Sequence, residues 1–273
     1  MAQQNSEVDE TFYDQTGVDT LYRLVWGRNI HFGIYETAND SMETATARTK
    51  RRMAEPLGLS PDDTVLEVAC GYGMTACFLA GEYGCRVAAT NYARQQLAAA
   101  ERLAEEVGQG CRVTFEWADY HDLHFADDSF DAWWCQEAIT HAQDKSAVFR
   151  EAHRVLRPGG KIAMSDQIIN AATLSAKDRV VIADRHGSGD LWGAENFIRA
   201  LEGSGFRNVD FHDWSGHLAT HFAAVCNRLE TRKDELLMLV QPEVLSHNHE
   251  IWQFWRDAGR AGKIGWGFFV AEK

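Results

Sequence analysis

From residue 62 onwards the chain alternates two hydrophobic rhythms. Short runs rich in β-branched and apolar residues stand between segments whose apolar positions recur every three or four residues. The runs Thr64–Val68, Cys85–Thr90, Arg112–Trp117, Phe130–Trp134 and Lys161–Ser165 predict strands. Thr75–Tyr83, Ala93–Glu106 and Ser146–Leu156 predict helices. Strand and helix in alternation imply an α/β fold with a parallel sheet covered on both faces. Right-handed crossovers then gather the strands' C-terminal ends, and a ligand, on one edge. Residues 9–58 read as helical, broken by the aromatic stretch VWGRNIHFGIY, and residues 170–273 as mostly helical with two late strands. Within the latter, Arg228–Val240 reads as part of a lid, and His247 and His249 as loop. Pro158-Gly159-Gly160 has the composition of a sharp turn entering a strand.

The chain has no internal repeat or low-complexity tract, so a single domain is expected: a helical cover (1–58), a cofactor-binding core (59–170), and a lid with the last strands (171–273). Apolar residues make up 45% of the chain, enough to bury a substantial core, yet no apolar run approaches the roughly 20 residues that span a bilayer. The opening MAQQNSEVDE is acidic and polar, unlike a presequence, which sets a cytoplasmic expectation. Six cysteines without a C-x-x-C pair read as small buried hydrophobes in a reducing compartment. A formal net charge of −13 repels polyanions and argues against nucleic acid as a partner.

The segment VLEVACGYGMTACFLA carries the chemistry. A hydrophobic strand reaches Glu67, passes through Ala69-Cys70-Gly71-Tyr72-Gly73 and enters a helix. Glycines there permit a tight turn and close ligand approach to the backbone. A dinucleotide loop wants a third glycine where this chain has Ala76, and Glu67 would repel a pyrophosphate. A cationic amino group suits Glu67 better.

These residues, with HFADDSFDAWWCQEAITH and AHRVLRPGGKIAMSD further on, resemble the class I S-adenosylmethionine-dependent methyltransferases over roughly residues 60–166. The resemblance implies a Rossmann-like fold with a seven-stranded, mostly parallel sheet under a helical cover. It implies that the loop Glu67, Ala69, Gly71 and Gly73 holds the methionine part of S-adenosylmethionine and that Asn91 holds the ribose. Asp119 would accept from the adenine amino group with Tyr120 beside the ring, while Tyr92, Gln96 and Gln136 complete the cofactor contacts.

Outside the core, four segments resemble the betaine-forming sarcosine/dimethylglycine N-methyltransferases: Trp26 to Tyr35, Ala47-Arg48-Thr49, Cys135-Gln136-Glu137 with His141, and Ala258 to Gly267. On this likeness the acceptor is a small amine. His141 is the candidate general base or orienter, since imidazole takes a proton near neutrality. Asp166 could orient that histidine or the acceptor. Tyr22, Trp26 and Tyr35 could face a cationic nitrogen, His31 could touch the acceptor, and Arg185 and Arg260 could fork its carboxylate. Asp166-Gln167-Ile168 departs from the Asp-Pro-Met of betaine formers, which leaves carbon or oxygen methylation of a terpenoid, phenol or sugar as a second class. A cofactor-binding sensor without catalysis is a third. His217 and His221 lie four apart, but no third ligand accompanies them, and no metal is expected. A homo-oligomer stays open.

Overall fold

The computed structural model describes residues 17–37 and 39–273; the helical reading of residues 9–16 lies outside them. Among the described residues, β1 (Thr64–Glu67), β2 (Arg86–Asn91), β3 (Val113–Trp117), β4 (Phe130–Gln136), β5 (Leu156–Ile169), β6 (Arg207–Asp213) and β7 (Ile264–Glu272) form one sheet, ordered β3-β2-β1-β4-β5-β7-β6. β1 to β5 pair in parallel, whereas β7 runs antiparallel to both of its neighbours. The order steps outward from β1 in both directions, so the switch point falls between β1 and β4, where a ligand is expected.

Helices cover both faces of this sheet: α1 (Val18–Val25), α2 (Met42–Ala54), α3 (Met74–Tyr83), α4 (Arg94–Glu106), α5 (Lys145–Val155), α6 (Ala176–His186), α7 (Ala194–Gly203), α8 (Ser215–Thr231), the short α9 (Lys233–Leu236) and α10 (Pro242–Arg260). Burial on two faces explains why β4 reads as a continuous apolar run. Trp133 joins the cluster with Phe149 and Phe197 on one side, and Trp134 the cluster with Leu79 and Met53 on the other. A third cluster, rich in aromatic rings, lies within the cover, where Tyr22, Trp26, Phe32, Phe222, Trp252 and Trp266 are all buried.

Three expectations change. Pro158-Gly159-Gly160 lies inside the long β5, where pairing with β4 jumps from Phe130–Leu156 to Ala132–Lys161. Gly159 adopts φ 80°, so the glycine makes a bulge within a strand instead of a turn before one. The helical stretch 228–240 is broken after Thr231 and again after Leu236. His247 and His249 lie within α10, where His249 pairs with Glu230 of α8 at 3.1 Å, a tertiary contact that local sequence does not reveal.

The stretch 31–35 is irregular backbone clamped between α2 and α8. Thr49 donates to the Phe32 carbonyl at 3.0 Å and accepts from the Ile34 N–H at 3.1 Å, and Arg48 donates to the Ile34 carbonyl at 2.5 Å. From α8, His221 Nδ1 accepts from the Gly33 N–H at 3.2 Å and His217 Nδ1 from the Tyr35 N–H at 3.3 Å. Gly33 has no room to spare: a Cβ there would sit 2.5 Å from Ala45 Cβ and 3.0 Å from the Ala45 carbonyl carbon. Gly33→Ala is therefore expected to cost about 1–3 kcal/mol through overpacking, read as a lower denaturant midpoint with unchanged slope.

Candidate active site at the carboxyl edge of the sheet

β1 ends at Glu67 and β4 at Gln136, on neighbouring strands. Glu67 is 2% exposed, and burial pushes its carboxyl up to about 8, partly opposed by the Lys50 ammonium and the Ala76 N–H. Its Oε2 has no partner among the described residues. Gln136 accepts from Trp134 Nε1 at 3.2 Å and contacts the Thr75 hydroxyl at 3.1 Å through the same oxygen. An indole N–H only donates, so that end of the amide is the oxygen, and the NH₂ is left buried and unpartnered. An unmet acceptor beside an unmet donor is complementary to an ammonium and a carboxylate on one amino-acid group. Leaving such groups buried and unsatisfied costs about 1–3 kcal/mol each, which a zwitterionic ligand would offset.

The loop between them is built for this close approach. Ala69, Gly71 and Gly73 take φ of 54°, 53° and 74°, the left-handed region. Gly73 serves packing as much as ligand access, since a Cβ there would lie 2.8 Å from both Ala100 and Phe115. At the end of β2, Asn91 is committed to neighbours: its NH₂ donates to Gln96 at 2.8 Å and its oxygen accepts from the Tyr92 N–H at 3.0 Å. The unmet buried donor at this strand end belongs to Gln96 instead. Tyr92 packs its ring against Trp117, 5.3 Å away. Beyond β3, Asp119 accepts from His121 through both the backbone N–H and Nδ1, and Tyr120 packs against the core. The donor and acceptor set along this edge fits the parts of S-adenosylmethionine: amino acid, ribose and adenine.

Beyond Gln136 the hub of a second polar cluster is Glu137, in the string Cys135-Gln136-Glu137 but assigned no role from sequence. One carboxyl oxygen accepts from Ser165 Oγ at 2.5 Å and Trp266 Nε1 at 3.1 Å, and the other meets His31 Nδ1 at 2.9 Å. Its backbone sits at φ 51°, a costly conformation for a residue with a side chain and one that accumulates at functional sites. One short turn later, Thr140 and His141 are fixed from two sides. Asp166, fully buried, accepts from the Thr140 N–H at 2.9 Å and the Gln167 N–H at 2.7 Å; desolvation raises its carboxyl to about 7. His141 Nδ1 lies 3.2 Å from the His186 carbonyl, which can only accept, so Nδ1 carries a proton and, in the neutral ring, Nε2 the lone pair.

His186, unremarked in the sequence, completes this frame. Gln167 Oε1 accepts from Trp255 Nε1 at 2.8 Å and from His186 Nε2 at 3.2 Å, so His186 Nδ1 accepts from the Thr140 hydroxyl at 2.9 Å. Burial drives its imidazole well below the usual value, which keeps it neutral. The preceding residue, Arg185, donates to the Tyr22 hydroxyl at 2.8 Å.

Several expected site residues stand elsewhere. Arg260 is exposed on α10 beside Asp257, 3.7 Å away, outside this cluster, because its helical position points to solvent. Asp166 holds the backbone before His141, not the imidazole. Tyr22 and Trp26 are core rings: Tyr22 stacks on Trp26 with centroids 6.0 Å apart, and His221 lies 5.0 Å from Trp26, so these faces are covered by neighbouring rings. Tyr35 places its hydroxyl 3.1 Å from His221 Nδ1. His221, fully buried, is driven down to about 3 by desolvation and acts as a neutral clamp; among the described residues no metal-binding cluster exists. Five of the six cysteines are buried and all are free.

Residues 66–164 match the family model for a methyltransferase domain. The sarcosine/dimethylglycine N-methyltransferase of Halorhodospira halochloris is 30% identical over 98% of this chain and 96% of its own length. The glycine/sarcosine/dimethylglycine N-methyltransferase of Actinopolyspora halophila is 32% identical over 95% of this chain, which spans only 46% of that longer protein. A solved structure from Galdieria sulphuraria, proposed to be a sarcosine dimethylglycine methyltransferase, superposes with a TM-score of 0.88 at 28% identity, covering 96% of this chain and 98% of the other.

Proposed function

The chain belongs to the S-adenosylmethionine-dependent methyltransferases, and from that premise we propose that it methylates the nitrogen of a small carboxylate-bearing amine, of the sarcosine and dimethylglycine kind, towards betaine. The observation that carries this reading is the frame at the end of α6. There the His186 carbonyl fixes the tautomer of His141, and Arg185, one residue earlier, supplies a guanidinium. The end of α6 thus holds the candidate proton acceptor and carries a cation suited to a carboxylate.

Bound S-adenosylmethionine supplies an electrophilic methyl group on sulfonium sulfur. The chain's own residues do the rest. Glu67 and Gln136 take the ammonium and carboxylate of the cofactor's amino-acid end, Gln96, oriented by Asn91, serves the ribose, and Asp119 accepts from the adenine amino group. Arg185 orients the acceptor's carboxylate. His141 Nε2 removes the acceptor's ammonium proton and so exposes the nitrogen lone pair for in-line attack. Glu137 and His31 wall the acceptor side, and the cover of α1, α8 and α10 excludes water. The net charge of −13 supports action on a small molecule rather than a nucleic acid.

The reading predicts that methyl-labelled S-adenosylmethionine labels sarcosine and dimethylglycine, and that dimethylethanolamine, which lacks the carboxylate, is turned over at least about tenfold less efficiently in kcat/KM, the worth of a charge-assisted pair. Equal turnover of the two tertiary amines, or label passing only to terpenoid, phenolic or sugar acceptors, would overturn it.

A further inference from the structure

We propose that His121 is a positioning residue for cofactor recognition: it fixes one oxygen of the Asp119 carboxylate, leaves the other to accept from the adenine amino group, and so sets the preference for adenine over other purines. The inference rests on the reading of Asp119 as the adenine acceptor and adds to it a residue outside the cofactor set read from the sequence.

Asp119 follows β3 on a half-buried turn, and its side chain is 44% exposed. A carboxylate so placed would rotate among orientations if nothing held it. His121 holds it twice, through its backbone N–H at 2.9 Å and Nδ1 at 2.7 Å, both on Oδ1. No hydrogen bond to Oδ2 is found among the described residues. The His121 bonds also keep the Asp119 carboxyl below its ordinary range, the side-chain bond more than the backbone one. The imidazole is itself fixed. Its edge meets Tyr120 at 4.8 Å and 61°, Tyr120 packs into the core, and the turn is closed by the Asp122 N–H on the Asp119 carbonyl at 3.1 Å. Because Nδ1 faces a carboxylate it carries the proton. Nε2 is then buried without a partner among the described residues, a cost that marks the ring as placed for Asp119 and not for its own satisfaction.

The test is a comparison of two ligands by calorimetry: S-adenosylhomocysteine and its analogue bearing purine in place of adenine, lacking only the 6-amino group. The native protein should prefer the adenine ligand by about tenfold or more, the worth of one hydrogen bond to a charged group. His121→Phe keeps a ring against Tyr120 but loses the Nδ1 donor, and it should shrink that preference severalfold. His121→Asn, whose amide nitrogen occupies the Nδ1 position, should restore most of it. A histidine needed only for folding would weaken both ligands alike and leave the ratio unchanged; that result in a folded His121→Phe protein overturns the proposal. A native protein indifferent to the 6-amino group would instead overturn the Asp119 reading beneath it.

Discussion

Glu67→Gln is expected to weaken S-adenosylhomocysteine binding roughly 10- to 100-fold, the loss of a charge-assisted hydrogen bond, while stabilising the ligand-free protein above neutral pH. The two effects have opposite signs because one buried group serves both states. In the free protein burial raises the Glu67 carboxyl from 4.5 to about 8, so the folded chain holds this proton more tightly than the unfolded chain does. The stabilisation from that proton is complete below 4.5 and is lost as pH rises through about 8, where folding must bury a charge. Glutamine removes that liability. The ligand's ammonium reverses the preference: binding near pH 7 should expel the Glu67 proton, seen as a binding enthalpy that varies with the buffer's ionisation enthalpy. The variant should lose both the buffer dependence and the decline in unfolding midpoint between pH 5 and 8.

His141→Ala is expected to lower kcat by about 100-fold or more, within the usual range for general acid–base catalysis, with little change in S-adenosylhomocysteine affinity. The imidazole is held by the His186 carbonyl, and on the proposed reading it serves the acceptor and not the cofactor. Rate, not cofactor binding, should therefore carry the loss. The deficit should shrink as pH rises towards the acceptor's own ammonium pKa, because a growing fraction of free amine no longer needs the base. Rapid-quench single turnovers across pH measure this directly. A uniform deficit at every pH would assign His141 to orientation.

The carboxyl edge of the sheet was legible in the sequence for a physical reason. Interior parallel strands are continuous apolar runs, so the polar residues that end them, Glu67, Asn91 and Gln136, announce the sheet edge. The polar cluster around Glu137 and His186 was less legible. His186 acts on Thr140, His141 and Gln167, and Gln167 on Trp255, contacts between elements far apart in the chain that no local pattern encodes. Glu137 stood beside Gln136 in plain view, but its role required knowing that His31 and Trp266 converge on it. The tail motif misled in the other direction. Its likeness drew attention to Arg260, whereas its constraints are packing: a Cβ at Gly265 would lie 2.3 Å from Ser215 Oγ and one at Gly267 2.6 Å from Phe211. The Trp between those glycines donates to Glu137, so the motif reaches the site through Trp266. The paired histidines of α8 show the same lesson. Their spacing suggested a shared face, and the face they share holds the backbone of residues 33 and 35.

The most direct test of the account is product identity with methyl-¹³C S-adenosylmethionine and dimethylglycine as the only acceptor, followed by NMR. Appearance of the labelled methyl on quaternary nitrogen, in step with S-adenosylhomocysteine and abolished by Glu67→Gln at limiting cofactor, is the predicted result. Release of S-adenosylhomocysteine without labelled betaine, while a carbon or oxygen acceptor takes the label under the same conditions, would contradict it.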